Sequence, residues 1–139
     1  MADVTLGILG LAGPVLTAVK RIIVLCDRVQ NAPNNIRQLR AVTYRLQKNF
    51  DRIQGEASRI SGSIRTSLPS EDQDEILQTL ECCENFLKRH VPTLTHRGAL
   101  GTLRRAAWFM DVKHCQELDG YRDRIDSIYI QIIHPFYLR

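Results

Sequence analysis

IRQLRAVTYRLQKNFDRIQGEASRISGSI, residues 36–64, decides the fold. Its members Ile36, Leu39, Val42, Leu46, Phe50, Ile53, Ala57, Ile60 and Ile64 follow one another by three or four positions at every step. Such steps keep one helical face apolar and predict an amphipathic helix of about eight turns. Asn34 or Asn35 is placed to cap it, since a short side-chain oxygen can accept from an orphan backbone N–H. Gly55 costs the helix about 1 kcal/mol relative to Ala, and a bend is expected there.

The same reading extends outward. Upstream, Val15, Val19, Ile22, Cys26 and Val29 step by four, three, four and three, a stripe ending near Asn31 ahead of Pro33. Downstream, SLPSEDQ stops one helix and starts another: Ser70 and Gln73 form a capping box, and Glu71, Asp72 and Asp74 suit the positive end of the dipole. The third helix runs through Ile76, Leu77, Leu80, Cys83 and Leu87 and fades near Pro92. THRGALG reads as a loop and LRRAAWFM as a short helix, with Trp108 expected in the core. Asp111 caps a last stripe of Val112, Cys115, Leu118, Tyr121, Ile125, Ile128 and Ile132, which Pro135 stops. Nothing alternates as a half-buried strand would. The expectation is an all-α fold, an antiparallel helical bundle of four to five helices with an apolar N-terminal helix, in one domain spanning 1–139. Residues 36–65 hold seven basic and two acidic residues, and 70–89 six acidic and two basic. As neighbours these two helices would attract, though exposed pairs are worth under about 1 kcal/mol each.

A net charge of +4 on 139 residues favours an anionic membrane surface but is too little to argue for nucleic acid. Arg37, Arg40, Lys48 and Arg52 could track phosphates, yet their helix carries a full packing stripe, and no nucleic acid is expected. Cys26, Cys82, Cys83 and Cys115 form no CxxC pair, and no secretory signal is read at the start. Free thiols in a reducing cytosol are expected. His90, His96, His114 and His134 fall near helix ends as surface or capping residues. Cys82 and Cys83 point about 100° apart on a helix and chelate poorly with His90. There is no GxSxG, HExxH or Walker-type GK[ST]. Neither catalytic residues, a cofactor nor a metal is expected; the chain reads as a non-enzyme.

TLGILGLAGPVLTAV, residues 5–19, is uncharged and holds three glycines and a proline, poor helix formers in water. Three readings stand open: a buried core helix; a helix starting at Pro14, capped by Gly13, after a separate arm; or a conditional membrane segment. Val4 to Val19 would reach about 24 Å as a helix, short of a hydrocarbon core of about 30 Å. Gly7, Gly10 and Gly13 lie on one side, and in lipid such small-residue faces promote helix association.

The start MADVTLGILGLAGPV, followed by a long helix and then LRRAAWFMDVKHCQELDGYRDRIDSI, resembles the HeLo-like (HELL) family, the N-terminal domains of fungal NLR-type (STAND) receptors and partner cell-death effectors. The likeness is carried by Arg104, Arg105, Trp108, Asp111, Lys113, Leu118 and Ile125, and by the glycine-spaced start. It implies a membrane-targeting, pore-forming domain activated by oligomerisation, related to HeLo domains and distantly to the four-helix bundle of mixed-lineage kinase domain-like protein. In such effectors a C-terminal prion-like amyloid motif receives the receptor's signal. None is read before HPFYLR, and the 139 residues are expected to be an excised domain. The family's membrane-active start maps onto residues 1–14, with Leu6, Gly7, Ile8, Leu9, Gly10, Leu11 and Gly13 inserting, and Pro14 interrupting a smooth glycine-spaced helix. Arg37, Arg40, Lys48 and Arg52 are expected to meet lipid headgroups. The expected partners are anionic membrane lipids, further copies of the chain and an upstream NLR-type receptor. The domain would sit in the cytoplasm and relocate to the plasma membrane. The rival expectation is a signalling or adaptor module that docks a like domain without touching lipid.

Overall fold

A computed structural model describes the backbone over residues 2–60, 70–95 and 98–133, and side chains over 10–55, 71–95 and 98–131. Helix α1 spans Ala2–Asp27, α2 Asn34–Ile60, α3 Ser70–Leu94, α4 Gly98–Met110 and α5 Val112–Ile128, which a wide π turn extends over Tyr129–Ile133. Among the described residues there is helix and no strand, as the three- and four-residue spacing predicts.

Helix α2 packs on α1 and α5, and α3 packs on the same two. The four long helices therefore form a ring in which α2 and α3 occupy opposite corners. Residue pairs fix the directions. Asp27 at the end of α1 meets Arg40 near the start of α2, so these helices are antiparallel. Phe86 of α3 meets Tyr121 of α5, and His90 meets His114, again antiparallel. Successive long helices reverse direction, but the step from α2 to α3 crosses the bundle. The charge contrast between basic α2 and acidic α3 thus does not make them neighbours in the ring. The cations of α2 turn to its real neighbours: Arg40 Nε lies 2.5 Å from Asp27 Oδ1 on α1, and Arg45 pairs with Asp126 on α5.

The core is the meeting of the stripes. Leu11, Val15, Val19 and Ile22 of α1, Ile36, Leu39, Leu46, Phe50 and Ile53 of α2, Ile76, Leu80, Phe86 and Leu87 of α3, and Leu118 and Ile125 of α5 are buried. Thr43 sits among them and satisfies its hydroxyl locally, donating to the Leu39 carbonyl at 2.7 Å. Of the predicted α2 stripe, the side chains of Ala57, Ile60 and Ile64 lie outside the described residues, as do the Ser70 side chain and Pro135.

Several local expectations change. Helix α2 runs unbroken through Gly55, where an added Cβ would meet nothing within 4 Å. Asn35 Oδ1 accepts from the adjacent Ile36 N–H at 2.9 Å, satisfying an orphan donor from just inside the helix. Asn31 takes a φ of 53° in the α1–α2 turn, a left-handed conformation that Asn tolerates. The predicted THRGALG loop is shorter, because α4 begins at Gly98, whose φ of 89° only glycine adopts without strain. Asp111 caps α5 as expected, accepting from Lys113 N–H at 2.9 Å. Val112, read as part of the α5 stripe, is exposed instead: it directly follows this cap, where the chain turns between α4 and α5.

Two substitutions test this packing. Phe50→Ala, at the centre of the α2 stripe, should lower unfolding free energy by about 3–5 kcal/mol in urea titrations. Gly55→Ala should raise it by about 0.5–1 kcal/mol, because a continuous exposed helix gains propensity and nothing is displaced.

Candidate functional site

Helix α1 is a single helix through Pro14, which neither starts it nor breaks it. The reason lies in which face proline occupies. Proline removes the hydrogen bond to the carbonyl four residues back, here that of Gly10, and its ring also crowds the preceding residue. Gly10, Gly13, Pro14 and Thr17 all face solvent, so water can reach the freed carbonyl, and Gly13 has no Cβ to crowd. Thr17 donates its hydroxyl to the Gly13 carbonyl at 3.1 Å. The opposite face, Leu11, Ala12, Val15, Leu16 and Val19, is core. The segment is therefore not apolar on every side because it is central: one side is packed, and the other is open glycine and proline. An added Cβ at Gly13 meets nothing within 4 Å.

The predicted inserting residues divide accordingly. Gly10 and Gly13 are on the open face and Leu11 is in the core, so Leu11 reaches lipid only if α1 leaves the bundle. The side chains of Leu6, Gly7, Ile8 and Leu9 lie outside the described residues. Among the described residues no helix is long and apolar enough to cross a membrane.

The four predicted headgroup cations do share one side of α2. Arg37, Lys48 and Arg52 are exposed; Arg40 is half-exposed and held in a two-point pair by Asp27, at 2.5 and 3.3 Å. Tyr44 lies among them, its ring 5.1 Å from Lys48 Nζ and 5.8 Å from the Arg40 guanidinium. The sequence reading missed Arg45, which shares a shallow recess with Lys48, Asn49, Arg52 and Tyr129 and covers the Tyr129 ring at 4.8 Å. Its spacing to Lys48 and Arg52, three and seven residues, was the available signal.

A second cluster joins α3, α4 and α5. Trp108 is buried, as expected, and its Nε1–H donates to His90 Nδ1 at 2.9 Å. The His114 ring stacks on the indole at 4.5 Å and 16°, and its Nδ1 lies 3.1 Å from the Trp108 carbonyl, which can only accept. His90 and His114 are half-buried, forming two sides of one tryptophan socket, and His114 also caps the last turn of α4 through the Trp108 carbonyl. Helix packing brings them together from positions 24 residues apart, with no local signal. His96 and His134 lie outside the described residues. Burial, helped by His114 and Arg89, holds His90 below the usual histidine range, with Glu117 opposing.

Among the described residues no three His, Cys, Asp or Glu side chains are grouped to hold a metal. All four cysteines are free. Burial pushes the Cys26 thiol up to about 12 and Cys83 higher still, so neither offers a thiolate near neutral pH. No protein-family model matches the chain, and neither curated proteins nor solved structures give a significant match.

The socket yields a pH prediction. Because His90 titrates lower in the folded chain than its ordinary 6.5, the unfolded chain takes up the proton first on acidification. Its contribution is complete above that value and is lost as pH falls through the folded pKa. Thermal melts should show the wild type losing more stability than His90→Gln between about pH 7.5 and 5, since Gln keeps an acceptor for the indole without titrating. Equal losses would place the pH dependence elsewhere.

Proposed function

We propose that the chain is a membrane-acting cell-death domain, latent as a folded bundle and activated by self-association, with α1 as the element that enters lipid. One observation carries this reading: α1 turns an uncharged face of Gly10, Gly13 and Pro14 to solvent with open space beside it. A helix kept only for a soluble bundle gains nothing from exposed glycine, which weakens it by about 1 kcal/mol per residue relative to Ala. In a bilayer the same face lets helix backbones approach closely, and association there depends on such packing. The resemblance of the start and of the Arg104–Ile125 region to HeLo-like domains supports the same reading.

The exposed cations of α2 supply the electrostatic half. Each cation near an anionic surface contributes about 1 kcal/mol. Arg37 and Lys48 are exposed at the outer side of α2, Lys48 over the Tyr44 ring, whereas Arg40 must first release Asp27. Charge then concentrates the protein at the surface, and α1 exchanges burial in the bundle for burial in lipid. Self-association would supply further copies of the glycine face. An upstream NLR-type receptor is the proposed source of the signal, acting on the cytoplasmic form, which then moves to the plasma membrane.

Dye release from anionic vesicles tests this, with the chain fused after Arg139 to a trimeric coiled coil. The oligomer should release dye and the monomer should not. Gly13→Leu should reduce release at least about tenfold while leaving the melting temperature equal or higher, since leucine is the better helix former and its side chain enters open space. Vesicles that stay sealed with the forced oligomer would remove the pore reading and leave a docking module.

A further inference from the structure

Helix α4 is inverted relative to the other helices. It packs against α3 and α5, but inward it buries only Gly101 and Trp108. Leu100, Leu103, Ala107 and Met110 lie within about 80° of one another at 100° per residue, and all four face away. Leu100 is 57% exposed, Leu103 68% and Met110 81%. Val112, the first residue of α5, is also exposed, at 65%. Steps of three, four and three are the pattern that ordinarily marks a buried seam, yet no part of the described chain covers it.

Charge and size identify what covers it. A second α4 is a poor match. A 13-residue helix presents a face about 20 Å long and about 10 Å wide, about 200 Å², far below the roughly 800 Å² per partner of a stable interface. α4 also carries Arg104 and Arg105 and no acid, so two copies would set like charge against like. Asp111, the acid at the end of the patch, is already engaged by Lys113 N–H. An anionic bilayer fits both features. The apolar stripe lies in the acyl boundary, and exposed Arg104, about 40° round the same helix from Leu100, reaches the headgroups. We infer that α4 is an interfacial docking helix through which the folded monomer binds anionic bilayers. The inference rests on the membrane reading above but concerns a different element and an earlier step: α4 is exposed already, so binding requires no opening of the bundle.

The test uses the unfused chain and phosphatidylcholine vesicles with and without phosphatidylserine, read by co-sedimentation. Wild type should bind the phosphatidylserine vesicles. Leu103→Glu combined with Met110→Glu should cut partitioning at least about tenfold, with an unchanged melting temperature because both side chains project into solvent. Arg104→Gln should weaken binding about fivefold, less so at high salt. Three results would each overturn the inference: a wild-type monomer that does not bind, a double variant that binds as wild type does, or a wild type that dimerises without vesicles while the double variant is monomeric, which would assign the face to a second copy. The coiled-coil fusion separates this from the pore reading. Monomer binding without oligomer-induced leakage upholds α4 and rejects pore formation; leakage without monomer binding does the reverse.

Discussion

Everything in this bundle depends on the burial of one face of α1. That helix is the wedge between α2 and α3, which sit on opposite corners and, among the described residues, pack chiefly on α1 on one side and α5 on the other. Leu11, Val15, Leu16, Val19, Ile22, Ile23 and Leu25 are buried along it. At about 1.5–3 kcal/mol for each fully buried side chain, the face is worth roughly 10–20 kcal/mol, as large as the whole stability of an ordinary domain. In the membrane-acting reading proposed above, latency would follow from this magnitude: α1 would not leave the bundle by fluctuation, and an active state would have to give these side chains an equivalent apolar environment, as a bilayer does and water does not.

The polar contacts act on a smaller scale. Arg40 with Asp27, Arg45 with Asp126, and Arg122 with Gln38 at 2.5 Å stitch α2 to both of its neighbours. Exposed pairs of this kind are worth under about 1 kcal/mol. They follow the arrangement that the apolar stripes set, and they do not hold the fold together. The same contacts occupy part of the positive charge of α2, so the field it presents outward is weaker than its sequence suggests.

Much of the fold was legible because it is local. The α2 stripe, the Asp111 cap and the burial of Trp108 each follow from spacing or side-chain chemistry within a few residues. The failures are of two kinds. The charge contrast between α2 and α3 does not make them neighbours, because weak surface attraction does not choose neighbours when apolar stripes do. Pro14 was read as a break because its cost was counted without its orientation; on a solvent-facing side next to glycine, that cost shrinks. The candidate site was less legible. The α2 cations share a face because their periodicity is readable, whereas the pairing of His90 with His114 and the outward turn of the α4 stripe depend on how α4 docks, which no local pattern encodes. An apolar repeat says that a face is to be covered, not by what.

Trp108 is the single tryptophan of the chain, and it lies between two imidazole rings. A protonated imidazole in contact with an indole quenches its emission, and loss of both rings moves the indole toward water and shifts that emission to the red. The protein thus carries an intrinsic optical probe at the joint of α3, α4 and α5, one that registers displacement of α4 without any attached dye.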